Sequence, residues 1–316
     1  GHGRVPLRLL FAGPEGAWSD YEHVLPAALE AAQVPCTLDR DPGNPETVDY
    51  IIYAPGGPVR DFSPFTSTRA VLSLWAGVES IVTNPTLTQP LCRMVDPGLR
   101  QGMVEWVTGH VLRHHLGMDR HILGQDGRWR NETFPPLSHQ RQVGILGLGA
   151  LGAACGQALT GLGFPVMGWS RRLKSLDGLS CHAGPEGLRH VLSQSEILVT
   201  LLPLTDDTRH ILNRDTLRLL PRGAVVINPG RGPLIDDPAL LEALADGPVA
   251  HATLDVFATE PLPPDHPYWA HPKVTVTPHI ASATRPETAA RTIAQNIAGN
   301  LAGQKLRDLV NREAGY

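Results

Sequence analysis

The chain has 316 residues and a formal net charge of −4 at pH 7, with a sequence pI near 6.4. This length is enough for two domains, each with its own hydrophobic core. The slightly acidic balance argues against non-specific nucleic-acid binding, and no apolar run approaches the length of a membrane-spanning helix. We therefore expect a cytoplasmic protein with neither nucleic-acid nor membrane partners.

Neither the N-terminus nor the cysteines indicate export or a metal site. Gly1-His2-Gly3 is interpreted as an expression remnant rather than a targeting signal. His110 and His114 have metal-ligand spacing on a predicted helix, but the glutamate of H-E-x-x-H is missing, so we predict no metal there. The four cysteines form no C-x-x-C pair, and we expect reduced thiols, with a redox or zinc site as the less favoured alternative. They are Cys36, Cys92, Cys155 and Cys181.

The first third of the chain alternates strands with a helix, which predicts an α/β layered sheet. The predicted helix covers Trp18–Ala32. The predicted strands are Leu7–Ala12, Val34–Leu38, Tyr50–Tyr53 and Val71–Trp75. Asp96-Pro97-Gly98 then interrupts the pattern, and a long helical stretch over Leu99–Leu123 is predicted to lead to a second domain.

After a connector at Phe134–Leu137, strands recur at regular intervals, as in a doubly wound dinucleotide-binding sheet. These strands are Val143–Leu146, Val166–Trp169, Ile197–Leu202, Ala224–Asn228, His251–Asp255 and Val274–Thr277. The last predicted helix, Arg285–Ala302, has no sheet of its own.

The segment Gln142–Gly152 contains G-x-G-x-x-G directly after an apolar strand, with glycines at 147, 149 and 152. The first glycine allows a tight turn, the second lets backbone approach a pyrophosphate, and the third lets the following helix pack on the strand. The helix N-terminus then faces the phosphates. The motif alone is weak, but the strand before it and the helical pattern Ala153–Leu162 after it favour a dinucleotide site over an ordinary glycine-rich turn.

The end of the next strand indicates which dinucleotide is bound. NAD-specific domains usually place an acidic residue here for the ribose 2′-hydroxyl, whereas this chain has Ser170, Arg171 and Arg172, followed by Lys174. A hydroxyl and two guanidinium groups suit a 2′-phosphate. We therefore predict NADP(H) in preference to NAD(H), and the alternative is a solvated basic turn.

Arg231, Glu260 and His279 each follow an apolar run that is predicted to be a buried parallel strand. Because the ends of neighbouring parallel strands line one crevice, we expect these three side chains to meet. Arginine can hold and polarise a 2-oxo acid, histidine can transfer a proton, and a carboxylate can keep that histidine charged and oriented. The alternative for Arg231 is a structural arginine bound to backbone carbonyls.

These motifs resemble those of the D-isomer-specific 2-hydroxyacid dehydrogenase family, and most of all its glyoxylate/hydroxypyruvate reductase A branch. The resemblance covers nearly the whole chain. Its most specific stretches are Gly147–Gly152, Trp169–Arg171, Leu201–Thr205, Asn228–Gly232 and Leu254–His279.

The resemblance implies an α/β fold with two parallel sheets, a Rossmann-type dinucleotide-binding domain and a flavodoxin-like substrate domain, with the active site in the cleft between them. The substrate domain is predicted to comprise 1–98 and 284–316, and the NADP-binding domain 99–283. Homodimers are usual in this family, so a homodimer is expected.

The resemblance also assigns site residues. It makes Arg231, Glu260 and His279 the catalytic triad, with Asp255 at the nicotinamide carboxamide. The predicted cofactor-binding residues are Gly147, Gly149, Ala150, Leu151, Gly152, Ser170, Arg171, Arg172, Leu202, Pro203, Thr208, Pro229 and Asp255. The predicted substrate-binding residues are Tyr53, Trp75, Ala76, Gly77, Arg231, His279 and Arg285, with the loop at Trp75–Val78 binding the substrate carboxylate through backbone N–H groups.

The implied activity is NADPH-dependent reduction of glyoxylate or hydroxypyruvate to the D-2-hydroxy acid. Tyr53 stands where the branch often has tryptophan, and Trp75 where a smaller residue is common. A reductase of a bulkier 2-oxo acid is therefore one alternative. A nucleotide-sensing corepressor on the same fold is a second alternative, which a turnover assay would distinguish.

Overall fold

A computed structural model describes residues Pro6–Tyr316, so the interpretation of Gly1-His2-Gly3 lies outside the described residues. The chain divides into two compact units. Unit 1 comprises the described chain up to Leu99 together with Thr284–Tyr316, and unit 2 comprises Arg100–Ala283.

Unit 1 is built on a parallel five-stranded sheet in the order β2-β1-β3-β4-β5. Its strands are β1 Leu7–Ala12, β2 Cys36–Asp39, β3 Tyr50–Tyr53, β4 Ala70–Ser73 and β5 Leu91–Cys92. The strand order reverses between β1 and β3, as in flavodoxin-like sheets. Every residue of β3 and β4 is buried, which is expected for parallel strands covered on both faces.

Unit 2 is built on a parallel seven-stranded sheet in the order β12-β11-β10-β9-β6-β7-β8. Its strands are β6 Val143–Leu146, β7 Val166–Trp169, β8 Ser180–His182, β9 Ile197–Thr200, β10 Ala224–Asn228, β11 Val249–Leu254 and β12 Val274–Val276. The order reverses between β6 and β9, and in such sheets ligands bind at the carboxyl ends of the strands near that point. The predicted α/β fold with two parallel sheets is confirmed.

Helices connect these strands. They are α1 Glu15–Tyr21, α2 Val24–Ala31, α3 Glu79–Val82, α4 Pro97–His115, α5 Met118–Leu123, α6 Ala150–Gly161, α7 Gly184–Gln194, α8 Arg214–Leu217, α9 Asp237–Ala245 and α10 Pro286–Leu301. The last of them, α10, lies in unit 1, where Ala290, Ile293 and Ile297 join the same buried cluster as Leu25 and Leu29 of α2. Its burial there explains why the sequence after residue 284 returns to the first sheet.

Two helices predicted as continuous are each interrupted. The stretch Trp18–Ala32 forms α1 and α2 rather than one helix, because Pro26 has no N–H to donate and is tolerated only in a first turn. Within the stretch Leu99–Leu123 the first helix ends at His115, and Gly117 follows in the left-handed conformation with φ 64° that commonly terminates helices.

Neither a membrane-spanning helix nor a metal-holding cluster occurs in residues Pro6–Tyr316. No helix in that range is both long and apolar enough to cross a membrane. It likewise contains no group of His, Cys, Asp or Glu side chains arranged to hold a metal ion. The four cysteines are free thiols.

Candidate active site

The glycine motif forms a tightly packed turn between β6 and α6. Gly147 has φ 106°, and a Cβ there would lie 2.5 Å from the carbonyl carbon of Leu201. A Cβ at Gly152 would lie 1.8 Å from the carbonyl oxygen of Gly147. Neither position accepts a side chain without moving backbone, so packing within the protein requires glycine at both.

Gly149 differs from its neighbours in the motif. Its φ is −70°, which any residue adopts, and a Cβ there would meet nothing within 4 Å. The space in front of Gly149 is therefore kept open at the N-terminus of α6, whose first N–H groups at Ala150 and Leu151 precede any intrahelical partner. Open space beside free backbone donors fits a pyrophosphate.

The basic turn after β7 adjoins this motif. The Ser170 hydroxyl donates to the Arg172 carbonyl at 2.6 Å, and the Lys174 ammonium donates to the Leu148 carbonyl at 2.7 Å. The guanidinium groups of Arg171 and Arg172 are exposed and make no hydrogen bond or ion pair with any residue in the described part of the chain. Two guanidinium groups that no described residue engages, beside the dinucleotide motif, fit a 2′-phosphate.

Four other predicted cofactor residues lie at the ends of β9 and β10. Leu202 and Pro229 are buried, and Pro203 is half-buried. The Thr208 hydroxyl donates to the Pro203 carbonyl at 2.6 Å and accepts from the Thr205 N–H at 2.8 Å. Thr208 therefore folds the turn after β9, and its contact with the cofactor stays a prediction.

Asn228 organises the turn that carries Arg231, a role the sequence analysis missed. Its side-chain oxygen accepts from the Thr200 hydroxyl at 2.7 Å and from the Gly230 N–H at 3.1 Å, and its amide donates to the Arg231 carbonyl at 3.0 Å. Asn228 is buried, and its bonds with Thr200 and Gly230 are shielded from water. The Asn at the start of a strand-to-glycine turn was the available signal, since asparagine side chains commonly bond backbone two or three residues on.

The glycines beside Arg231 fix its backbone against neighbouring segments. A Cβ at Gly230 would lie 2.7 Å from the Thr200 carbonyl oxygen, and one at Gly232 would lie 2.1 Å from the Phe257 carbonyl carbon. One guanidinium nitrogen of Arg231 donates to the Gly230 carbonyl at 2.7 Å. The turn that bears Arg231 thus abuts the turn that leads to Glu260.

Glu260 and His279 are in direct contact. One carboxylate oxygen of Glu260 accepts from the Phe257 N–H at 3.0 Å, and the other is hydrogen-bonded to Nδ1 of His279. Both side chains are partly exposed. Because the carboxylate occupies Nδ1, the Nε2 position of the imidazole is the one left to exchange a proton.

A buried carboxylate anchors the segment on which His279 stands. Asp255 accepts from the Thr277 hydroxyl at 2.7 Å and from the backbone N–H groups of Ile280 at 2.8 Å and Ala281 at 2.9 Å. His279 itself has φ 53°, an uncommon value for a residue with a side chain. The structure gives Asp255 an anchoring role, and the predicted contact with nicotinamide stays a prediction.

The three turns are joined at one edge of the sheet. The strands β10, β11 and β12 are neighbours, the Asp255 N–H donates to the Asn228 carbonyl at 3.0 Å, and the Thr277 N–H donates to the Leu254 carbonyl at 2.9 Å. Arg231, Glu260 and His279 therefore stand on linked backbone, which can hold an arginine, a carboxylate and an imidazole in a fixed arrangement.

The predicted substrate residues of unit 1 have different environments. Tyr53 is buried, whereas Trp75 is exposed, and Ala76 and Gly77 are half-buried. The N–H of Trp75 donates to the Ser73 hydroxyl at 3.1 Å. It is therefore not one of the loop N–H groups available to a substrate carboxylate.

Arg285 is exposed at the N-terminus of α10, where its guanidinium donates to the Gly98 carbonyl at 3.1 Å. This bond uses only one of the guanidinium donors of Arg285. The role of Arg285 near the substrate stays a prediction.

Comparison with known proteins identifies the family. Residues 107–281 match the family model described as D-isomer specific 2-hydroxyacid dehydrogenase, NAD binding domain. Over 287 residues the chain is 40% identical to glyoxylate/hydroxypyruvate reductase A of Serratia proteamaculans, covering 87% of this chain and 90% of that relative.

Solved structures agree over almost the full length. A D-isomer specific 2-hydroxyacid dehydrogenase from Xanthobacter autotrophicus Py2 in complex with NADPH and MES is 39% identical with a TM-score of 0.90, covering 99% of this chain and 100% of that one. An NADPH-dependent glyoxylate/hydroxypyruvate reductase from Sinorhizobium meliloti in complex with NADP and sulfate is 33% identical with a TM-score of 0.85, covering 98% of this chain and 100% of that one. These matches confirm the resemblance, and the chain belongs to the D-isomer-specific 2-hydroxyacid dehydrogenase family, which makes it an NAD(P)-dependent dehydrogenase.

Proposed function

We propose that the protein uses NADPH to reduce small 2-oxo acids, with glyoxylate and hydroxypyruvate as substrates, to the D-2-hydroxy acids. The observation that carries this proposal is the contact between Glu260 and His279 on the joined turns of β11 and β12. Relatives named glyoxylate/hydroxypyruvate reductase, and related structures that hold NADPH or NADP, support it.

His279 acts as the general acid. Glu260 holds Nδ1 and orients the ring, which leaves Nε2 as the nitrogen available to the substrate. The proton on Nε2 passes to the oxygen of the substrate carbonyl as negative charge develops there. The Phe257 N–H keeps the Glu260 carboxylate in place during this transfer.

Arg231 and the Trp75 loop, which we define as residues Trp75–Val78, bind the substrate. A guanidinium offers parallel donors that match the carboxylate and keto oxygens of a 2-oxo acid. In the loop, the N–H groups of Ala76 and Gly77 donate to the substrate carboxylate, while that of Trp75 is engaged by Ser73.

The glycine motif and the basic turn hold the cofactor, which supplies the hydride when bound. The space at Gly149 and the N-terminus of α6 receive the pyrophosphate, and Arg171 and Arg172 bind the 2′-phosphate. The absence of an acidic residue at the end of β7 removes the usual partner of a ribose 2′-hydroxyl. We therefore propose that NADPH is preferred over NADH.

The deciding experiment is steady-state kinetics with NADPH and NADH over a panel of 2-oxo acids, from glyoxylate to phenylpyruvate. We expect the highest kcat/KM with NADPH and a small substrate. Tight NADPH binding without turnover of any 2-oxo acid would contradict the proposal and favour a nucleotide-sensing binding protein.

We also propose a homodimer. The segment after α4 exposes large apolar side chains at Ile122, Leu123, Trp129 and Phe134, and three of them are more than 80% exposed. A second copy of the chain would cover them. Light scattering should give twice the mass of 34.1 kDa, and Trp129→Ser with Phe134→Ser should shift it toward the monomer.

The free thiols fit the reducing environment of the cytoplasm.

A further inference from the structure

Two aromatic side chains stand at the ends of neighbouring strands beside the Trp75 loop. Tyr53 ends β3, and Trp75 follows β4 by two residues. Their exposure differs greatly, since Tyr53 is 9% exposed and Trp75 is 53% exposed.

Tyr53 lies in the core beneath the loop. It shares a buried cluster with Val78, which ends the loop, and with Ile81 of α3, and its ring lies 6.0 Å from that of Phe62. Burial raises the pKa of the Tyr53 hydroxyl, and a hydrogen bond with the Ser80 side chain partly offsets that rise. A hydroxyl that is buried and hydrogen-bonded to another side chain stabilises the protein rather than binding a ligand.

The backbone of Trp75 is held at both of its polar groups. Its N–H donates to the hydroxyl of Ser73, the residue paired with Tyr53 in the sheet, at 3.1 Å. Its carbonyl accepts from the Met94 N–H at 3.0 Å. With both groups fixed, the position of the indole is set by its own two side-chain torsions rather than by loop movement.

We propose that Trp75 limits the size of the 2-oxo acid that the enzyme accepts, and that Tyr53 is a positioning residue that keeps the Trp75 loop in shape without contacting the substrate. This inference rests on the proposed function, because it assigns the loop to the substrate. It predicts that the two aromatic residues have separable effects, although they lie at the ends of adjacent strands.

The test compares Trp75→Ala with Tyr53→Phe, using NADPH and substrates of increasing side chain from glyoxylate to phenylpyruvate. Removing the indole should raise the ratio of kcat/KM for phenylpyruvate to that for glyoxylate by roughly tenfold to a hundredfold, the range typical of steric discrimination in a pocket. Trp269→Ala is the matched control, because its indole is 51% exposed and it has no proposed role in binding.

Tyr53→Phe should behave differently. Loss of the hydroxyl should raise KM for every substrate by a similar factor, of about two to ten, with kcat and the affinity for NADPH little changed. The ratio between large and small substrates should stay within about twofold of wild type, since only the loop shape is altered.

The outcomes separate this inference from the proposed function. If the wild type reduces 2-oxo acids but Trp75→Ala leaves the size ratio unchanged, or Tyr53→Phe alters it as strongly, the inference is wrong and the proposed function stands. If the wild type reduces none of these substrates, both are wrong.

Discussion

The carboxylate of Asp255 accepts a hydrogen bond from the backbone N–H of Ala281 at 2.9 Å, two residues beyond His279. The same carboxylate also holds Thr277 and Ile280, so the segment around the imidazole is fastened on both sides. The Asp255 side chain is fully buried, which makes each bond costly to lose.

Replacing Asp255 by asparagine should destabilise the protein and slow turnover. The amide keeps one acceptor oxygen but turns a donor toward a backbone N–H, leaving a buried group unsatisfied at a cost of roughly 1–3 kcal/mol. Urea unfolding and kcat measure the two effects. Asp265→Asn is the control, because Asp265 is exposed and makes no hydrogen bond among the residues described. Equal stability of the two variants would contradict the anchoring role.

Substitution of His279 should remove most turnover and leave NADPH binding nearly intact. Asparagine is the sharper replacement, because His279 has φ 53° and asparagine tolerates that region better than alanine does. Loss of a positioned general acid should lower kcat by about a hundredfold to ten-thousandfold. The exposed His139 provides a His→Asn control. A His279→Asn enzyme with more than half the wild-type kcat would rule out His279 as the acid.

Much of the fold could be predicted from the sequence because parallel strands are continuous apolar runs. The strands Val143–Leu146, Val166–Trp169 and Ala224–Asn228 have the bounds that the sequence indicated. Strand β8 was missed, since Ser180-Cys181-His182 is short, polar and at the sheet edge. Strand β5 was missed because it has only two residues.

Removing both arginines of the basic turn should abolish the preference for NADPH. Each hydrogen bond to a charged group contributes roughly 1.5–3 kcal/mol, or about tenfold to a hundredfold in affinity. Arg171→Gln with Arg172→Gln should therefore raise the KM for NADPH by at least about tenfold and change that for NADH little. The exposed pair Arg218→Gln with Arg222→Gln changes the net charge equally and serves as the control. Equal wild-type kcat/KM values for NADPH and NADH would refute the assignment.

Two histidines of unit 2 should make the protein sensitive to mild acid. Burial lowers the pKa of His114 to about 3 and that of His251 to about 4, and the positive charge of Arg113 adds to both shifts. In the unfolded chain both histidines have a pKa of about 6.5, so below that pH only the unfolded state gains these protons. The free energy of unfolding is undiminished above about pH 6.5 and falls as the pH drops, by at most about 1.4 kcal/mol per pH unit for each histidine.

This dependence is measured by urea unfolding between pH 7 and pH 5. His114→Gln with His251→Gln should flatten the loss of stability over that range, although the variant loses the bonds of His114 to Thr253 and of His251 to Thr275. The slope with pH, rather than the stability at one pH, is therefore the informative quantity. His121→Gln, at an exposed position, should keep the wild-type slope. Identical slopes in the double variant and wild type would contradict the prediction.

The site could be predicted only in part, because sequence motifs identify the functional residues but not the hydrogen bonds that hold them in place. The sequence identified Glu260 and His279, whose contact the structure shows. It did not identify Asn228 or Thr277 as anchors, since hydrogen bonds between strands 22 to 28 residues apart leave no local pattern. Nor could it show that Tyr53 is buried, which depends on the packing of α3.

Arg231→Lys should raise the KM for glyoxylate and lower kcat, with thermal stability almost unchanged. A guanidinium presents two parallel donors to a carboxylate or keto oxygen, whereas an ammonium is a compact point charge that cannot reproduce the fork. The backbone at this position is fixed by Gly230 and Gly232, so the lysine cannot compensate by moving the turn. The defect should therefore appear in both kinetic constants.

The competing interpretation makes Arg231 a structural residue, and its bond to the Gly230 carbonyl at 2.7 Å is the kind of contact that interpretation requires. It predicts a lower melting temperature for Arg231→Lys and an unchanged KM for the enzyme that remains folded. Measuring the melting temperature and KM on one preparation separates the two, because a bond to an adjacent carbonyl affects folding alone. A lower melting temperature with an unchanged KM would remove Arg231 from the active site, and an unchanged melting temperature with a raised KM would place the guanidinium on the substrate.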